Sequence, residues 1–291
     1  MSLIAVPNVS EGRDAALLGK FKESIKSAGA RLLDVHSDEV HNRAVYTASG
    51  SDSELIDAMT RLAQACLAID FARHRGVHPR LGPLDVCPFV PQSTDMERAV
   101  DAARAAARSI SSSTDLPVYL YGAAAFREET RSLPSIRSGG LEELARRAAQ
   151  GLGPDVGPQE IDPQRGVVCV GARPPLIAFN IWLRGSGAAA AAVAARVRTG
   201  GGGPEGIRAL GWSMSESLAQ VSMNLVAPDQ TGIDRAWDEV ARWCRHENLD
   251  IVATELVGLV PDRYLPDPNK ETARLLIEPG RSLETALQLK P

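Results

Sequence analysis

An α+β fold built from two β-α-β-β-α-β units is what this 291-residue sequence predicts. Three observations carry the prediction. Short apolar runs alternate with amphipathic stretches in the same order in the two halves. Helix-start signals stand where several of the amphipathic stretches begin. Gly-, Pro- and charge-rich segments punctuate the turns and separate the halves. At roughly 100–200 residues per domain the length admits two small domains. A hydrophobic content of 44% supplies a core for each.

The first half opens on a short apolar strand, Leu3 to Val6. A helix follows from about Ala15 to Ala28, with Leu17, Leu18, Phe21 and Ile25 on one face. Two extended runs, Arg31–His36 and Arg43–Ala48, are joined by a polar turn. Ser51 and Glu54 have capping-box spacing and open a helix to about Ala68, along which Leu55, Met59, Leu62 and Cys66 recur. Leu84–Val90 returns to strand and completes the first unit. Thr94 and Glu97 then cap a further helix to about Ser109, a strand follows at Pro117–Tyr121, and residues 122–166 read as short helices and loops. The second unit repeats the order. Pro175–Leu183 is a strand, Ala188–Arg198 a helix, and Ile207–Trp212 and Leu218–Leu225 are strands. Thr231 and Asp234 start a helix containing Ile233, Trp237, Val240 and Trp243, and Asp250–Leu259 is the closing strand. Both orders are the split βαβ, or ferredoxin-like, arrangement. The expected division is 1–172 and 173–291.

With 32 Lys+Arg against 36 Asp+Glu, the formal net charge is −4. That is a poor balance for gripping a phosphate backbone, so nucleic acid is not an expected partner. No apolar run approaches the ~20 residues that span a bilayer, and the first residues lack the pattern of a secretion signal. A soluble cytoplasmic protein is the expectation, with no membrane partner. Cys66, Cys87, Cys169 and Cys244 are scattered and form no C-x-x-C pair, which reads as reduced thiols. Lysine occurs only at positions 20, 22, 26, 270 and 290, so arginine carries nearly all the positive charge. Either codon usage or arginines that fork onto carboxylates would produce this.

The most unusual segment runs from His74 to Pro91 as HRGVHPRLGPLDVCPFVP. It joins a helix to a strand, and Gly76, Pro79, Gly82 and Pro83 restrict the path of the histidines and arginines between them. His74 and His78 are four apart, but Gly76 and Pro79 break the helix that a shared metal would need. General acid/base use of one imidazole fits better, beside the plainer reading of a surface loop. A second polar cluster runs from Asp34 to Arg43, including His36, His41 and Asn42. Asn180 is an amide in an apolar strand, which is costly to bury without partners. The loop Gly157-Pro158-Gln159-Glu160-Ile161-Asp162-Pro163-Gln164-Arg165-Gly166 either covers a ligand or joins the halves. No metal site is expected, although a metal-assisted hydrolase using His36, His41, His74 and His78 is the third class to weigh.

Several blocks resemble the formiminotransferase domain family. They are Val6–Arg13, Asn42-Arg43, the R-H-R-G-x-H-P-R-L-G-x-x-D-V-C-P-F-V-P block, Pro117–Gly122, and Leu133–Arg137. Leu176–Asn180, Gly211-Trp212, Gln220–Asn224 and Glu255–Pro261 continue the likeness in order, from residue 1 to about 265. The resemblance implies two ferredoxin-like subdomains, a homodimer, and transfer of a formimino group from N-formiminoglutamate to N5 of tetrahydrofolate. It carries the catalytic histidine onto His78 and the folate-binding loop onto Gly157–Gly166. Substrate contacts are expected from His36, Asn42, Arg43, Arg75, Arg80, Asn180 and Trp182. Four positions depart from the family pattern: Val77 stands for a Glu, His36 for an Asp, Trp182 for an Asn, and Arg165 for an aromatic. A changed donor or acceptor, or a folate-binding protein without catalysis, are the alternatives these departures leave open.

Overall fold

The computed structural model describes residues 3–76, 79–92 and 95–288. The chain falls into two compact units, Met1–Pro174 and Pro175–Pro291. Helices and sheets are mixed in both, and each unit has one sheet.

The N-terminal unit holds strands β1 (Leu3–Ala5), β2 (Asn8–Val9), β3 (Arg31–Asp38), β4 (Arg43–Gly50), β5 (Leu84–Pro91), β6 (Val118–Gly122) and β7 (Val168–Ala172). Its helices are α1 (Ala15–Lys26), α2 (Asp52–Cys66), α3 (Met96–Thr114), α4 (Glu128–Arg131), α5 (Leu133–Arg137) and α6 (Gly140–Ala149). β1 and β2 are two pieces of one path, and each lies between β4 and β5 in antiparallel pairing. Pro7 interrupts them because it has no N–H for the ladder, while its carbonyl still accepts from Tyr46 at 3.0 Å. β3 extends the sheet beyond β4, and β7 and then β6 extend it in parallel beyond β5.

Phe21 and Ile25 of α1, Leu55, Met59 and Leu62 of α2, and the alanines of α3 pack with Tyr46, Phe89 and Leu120 in the main core. Five buried alanines along α3, from Ala99 to Ala107, let that helix lie close on the sheet. Val118 and Leu120 join this core, while Tyr119 and Tyr121 belong to a smaller cluster with Val86, Ile136, Leu144, Ile161 and Cys169. The two-residue period of a strand separates them.

The C-terminal unit holds β8 (Ile177–Arg184), α7 (Gly187–Val197), β9 (Ile207–Ser213), β10 (Leu218–Leu225), α8 (Ile233–His246), β11 (Asp250–Val257), α9 (Glu271–Arg274) and α10 (Leu283–Gln288). Its four strands run β11-β8-β10-β9, all antiparallel. Phe179, Ile181, Val221 and Met223 meet Val193, Val197, Trp237 and Val240 of the two long helices.

The structure differs from the sequence reading at four places. β7 lies in a stretch to which the sequence reading assigns no strand, because five consecutive buried residues, Gly171 among them, give no alternation to count. α3 continues to Thr114, where the hydroxyl of Thr114 donates to the Ile110 carbonyl at 2.7 Å and keeps a serine-rich turn helical. Thr94 lies outside the described residues, and the α3 cap is Asp95, which accepts from the Arg98 N–H at 3.1 Å. At α8 the cap position is Gly232, with no side-chain bond, and Thr231 is buried one residue earlier.

Candidate active site

In the N-terminal unit, the β3–β4 turn is fastened to residues 74–76 and 79–80 by two side chains, Asn42 and Arg80. Asn42 adopts the left-handed conformation that asparagine tolerates, with φ 49°. Its Oδ1 accepts from the Gly12 N–H at 2.9 Å and its Nδ2 donates to the Arg75 carbonyl at 2.9 Å. Arg80 donates from Nη1 to the Asn42 carbonyl at 2.9 Å and from Nη2 to the His41 carbonyl at 2.8 Å. Arg80 Nη1 also meets His74 Nδ1 at 2.9 Å. Burial, and then the Arg80 charge, push the His74 imidazole down to about 4, so at neutral pH it is an uncharged acceptor. Gly76 lies against this junction: a Cβ there would overlap the Arg80 guanidinium and the His41 carbonyl oxygen. His41 is itself held by Asp38, through its N–H at 2.7 Å and its Nδ1 at 2.8 Å. Burial opposes the charge on Asp38, but the bonds from His41 outweigh it and keep that carboxyl below its usual value.

A second charge cluster lies beside the first. Asp85 is 2% exposed, and its Oδ1 accepts from the Leu81 N–H at 2.9 Å. Its Oδ2 takes the Arg137 guanidinium and lies 4.0 Å from Arg43. Arg43 also donates to Asn8 Oδ1. Burial pushes Arg43 down to about 10; Asp85 opposes this, and Arg137 and Arg80 add to it. Arg75 is exposed and donates to the Ala72 and His74 carbonyls at 3.0 and 2.9 Å. His36 is half-buried in β3, opposite Val45. Val77 and His78 lie outside the described residues.

The 157–166 loop is tied at both ends. Gly157, at φ +87°, faces the Ser111 hydroxyl and lies where a Cβ would come to 3.0 Å from the Leu116 carbonyl oxygen. Gln159 donates to the Gly157 carbonyl at 3.3 Å, Ile161 is buried, and Glu160 is exposed. Asp162 closes the turn after Pro163 by accepting from Gln164 at 2.8 Å, Arg165 at 3.1 Å and Gly166 at 2.8 Å. Arg165 donates to the Thr114 carbonyl and lies 3.9 Å from Asp115, where a cation suits the negative end of α3. Val167 then donates to the Leu81 carbonyl at 2.9 Å. The loop therefore ends beside the residue that follows Arg80.

In the C-terminal unit, Asn180 and Trp182 stand on the face of β8 opposite Phe179 and Ile181. Asn180 Nδ2 donates to Glu255 Oε2 at 2.9 Å, and Gln220 Nε2 donates to the same oxygen at 3.3 Å. Gln220 is fully buried and Asn180 is 6% exposed. Sequence reasoning named neither Glu255, Gln220, Asp85 nor Arg137 as site residues. The available signal was a carboxylate within the apolar run IVATELVGLV, and an aspartate opening the apolar LDVCPFV. Burial pushes the thiols of Cys66, Cys87 and Cys169 well up, so they remain protonated at neutral pH and make poor nucleophiles. Among the described residues no group of three or more His, Cys, Asp or Glu is placed to hold a metal ion.

Two family models match in series, Formiminotransferase domain, N-terminal subdomain, over residues 2–173 and Formiminotransferase domain over residues 178–271. The chain belongs to the formiminotransferase family. It is 34% identical to the glutamate formimidoyltransferase of Streptococcus pyogenes, over 90% of each chain. Against the glutamate formimidoyltransferase of Thermoplasma acidophilum the identity is 35%, over 99% of this chain and 98% of that one. The formimidoyltransferase-cyclodeaminase of Sus scrofa is 37% identical over 90% of this chain, which spans 50% of that relative's length. Within this chain, the structure brings Asn42, Arg43, Arg75 and Arg80 together with the end of the 157–166 loop in the N-terminal unit. Asn180 and Trp182 belong to the other unit.

Proposed function

We propose that this chain is an enzyme that moves the formimino group of N-formiminoglutamate, or of a related N-formimino donor, to N5 of tetrahydrofolate. The observation that supports this most directly is family likeness over the whole described chain, shared with glutamate formimidoyltransferases of comparable length. The fastened junction around the histidine-bearing block supplies the chemistry. Tetrahydrofolate enters as co-substrate, for which the 157–166 loop is the proposed contact. The strand orders of both sheets support two ferredoxin-like subdomains, 1–172 and 173–291.

The reaction joins two substrates and then parts them. N5 adds to the amidine carbon, giving a tetrahedral intermediate, and N5 must lose its proton. The bond from that carbon to the glutamate nitrogen then breaks, and the departing nitrogen must gain a proton. His78 is assigned both transfers as general base and then general acid. His74 is unsuited to them, because its imidazole is held near pKa 4 and already faces Arg80. We assign Arg80 and Asn42 to fixing the backbone on either side of this block, since their polar atoms bond the His41, Asn42 and Arg75 carbonyls. Arg43 and Arg75 remain for substrate carboxylates, and holding both substrates removes much of the entropic cost of their meeting.

His78→Ala should lower kcat by about 10²–10⁴-fold while leaving substrate affinity within about threefold. Steady-state assay of the purified chain with N-formiminoglutamate and tetrahydrofolate tests this. Undiminished turnover in the variant removes His78 from its role. Absence of turnover in the unaltered enzyme, with binding of both ligands retained, would favour a different donor, for which the expected departures at Trp182 and His36 are the candidates. A cytoplasmic homodimer accompanies this reading, and sedentation of the purified protein by analytical ultracentrifugation measures its oligomeric state.

A further inference from the structure

On the face of the C-terminal sheet opposite its helices, three directly opposed positions form one row: Trp182 on β8, Gln220 on β10 and Trp212 on β9. Neighbouring strands are about 4.8 Å apart, so the two indoles flank Gln220 from either side. Gln220 is fully buried, and the orientation of its amide is fixed by Glu255. Oε2 of Glu255 takes the Gln220 Nε2 at 3.3 Å, as it takes the Asn180 Nδ2 at 2.9 Å. A carboxylate accepts and does not donate, so each amide must turn its nitrogen toward it. The Gln220 Oε1 is therefore left on the other side, buried and without a hydrogen-bond partner. One strand away, the Trp182 indole N–H is also buried and without a partner. An acceptor and a donor on directly opposed residues, both unmet, are costly in a folded protein unless something completes them.

We infer that Trp182 and Gln220 together read a ligand edge that presents an N–H donor beside a lone-pair acceptor. The ligand N–H donates to Gln220 Oε1, and the ligand acceptor takes the Trp182 Nε1–H. Glu255 contributes by holding the amide in the reading orientation, and the indole faces suit a planar group. Two chemical groups have such an edge: a neutral amidine, with its N–H and imine nitrogen, and a lactam, with its N–H and carbonyl oxygen. In this transferase the amidine would come from the formimino donor and the lactam from the pterin ring of the acceptor. The inference rests on the proposed transfer reaction for the identity of these two ligands, and on the row of side chains for the rest.

The test uses the full chain, titrated separately with N-formiminoglutamate and with tetrahydrofolate by calorimetry and by indole fluorescence. Trp182→Phe keeps a ring and removes the N–H; Gln220→Met keeps the length and removes the amide. Each variant should weaken one of the two ligands by about 5- to 10-fold, the same ligand in both cases, and leave the other within about twofold. Loss confined to N-formiminoglutamate assigns the amidine, and loss confined to tetrahydrofolate assigns the lactam. If both ligands bind both variants as they bind the unaltered protein, the inference is overturned and the transfer reaction stands. If neither ligand binds the unaltered protein, both are overturned. Thermal unfolding of each variant checks its folding, and Trp182→Phe alone carries the test should Gln220→Met fail to fold.

Discussion

The structure actively opposes protonation of the His74 imidazole. A proton there would place a cation beside the Arg80 guanidinium, which already serves two backbone carbonyls. Its value falls from 6.5 in an unfolded chain to about 4 in the fold, by burial first and Arg80 second. Between those values the unfolded chain binds a proton that the folded chain refuses. His74 therefore contributes stability that is fully present above pH 6.5 and declines as pH falls toward 4. In His74→Asn, whose amide oxygen still accepts from Arg80, the urea midpoint should fall less between pH 7 and pH 4.5 than in the unaltered protein. Equal pH slopes for the two proteins would count against this account. Little of it was legible in the sequence. The motif marks the block as chemically unusual, but only the close approach of His41, Asn42 and Gly12 shows which histidine is committed to structure. Arg165 teaches a similar lesson: the sequence places it in a polar loop, and only the fold shows its guanidinium donating to the Thr114 carbonyl at the end of α3.

At the level of elements, local signals and outcomes agree where the signal is a short-range hydrogen bond. Ser51 and Glu54 form the expected reciprocal cap on α2, with Glu54 Oε2 accepting from the Ser51 N–H at 2.7 Å and Ser51 Oγ accepting from the Glu54 N–H at 3.3 Å. Ser51→Ala should cost about 1 kcal/mol of stability, read by urea denaturation, with turnover unchanged. The amphipathic helices α1, α2 and α8 bury the residues that their spacing selects, including Phe21, Met59 and Trp237. β7 escaped because its partners on both sides are parallel strands, β5 and β6. A strand buried on two faces has no polar alternation to announce it. The α3 cap and the α8 start also escaped, because Ser, Thr and Asp cluster near both helix starts and only backbone geometry selects among them.

At the level of the molecule, each unit carries its own core, with Phe89 and Met59 in one and Phe179 and Trp237 in the other. Phe179 is fully buried, and truncation to Ala should cost about 3–5 kcal/mol. Hydrogen exchange is expected to lose protection along β8, β10 and β11 while β4 and β5 retain theirs. Equal loss in both sheets would show instead that the units open together. By itself the sequence determined the α+β class, the order of most elements in each half and the family likeness, because these depend on spacing and on residues adjacent in the chain. Only the tertiary structure decided which polar groups meet. Asp85 with Arg137 are 52 residues apart in sequence, and Asn180 with Glu255 are 75 apart. Such pairs are set by sheet register and by the burial that forces charged and amide groups to find partners, and no local pattern encodes either.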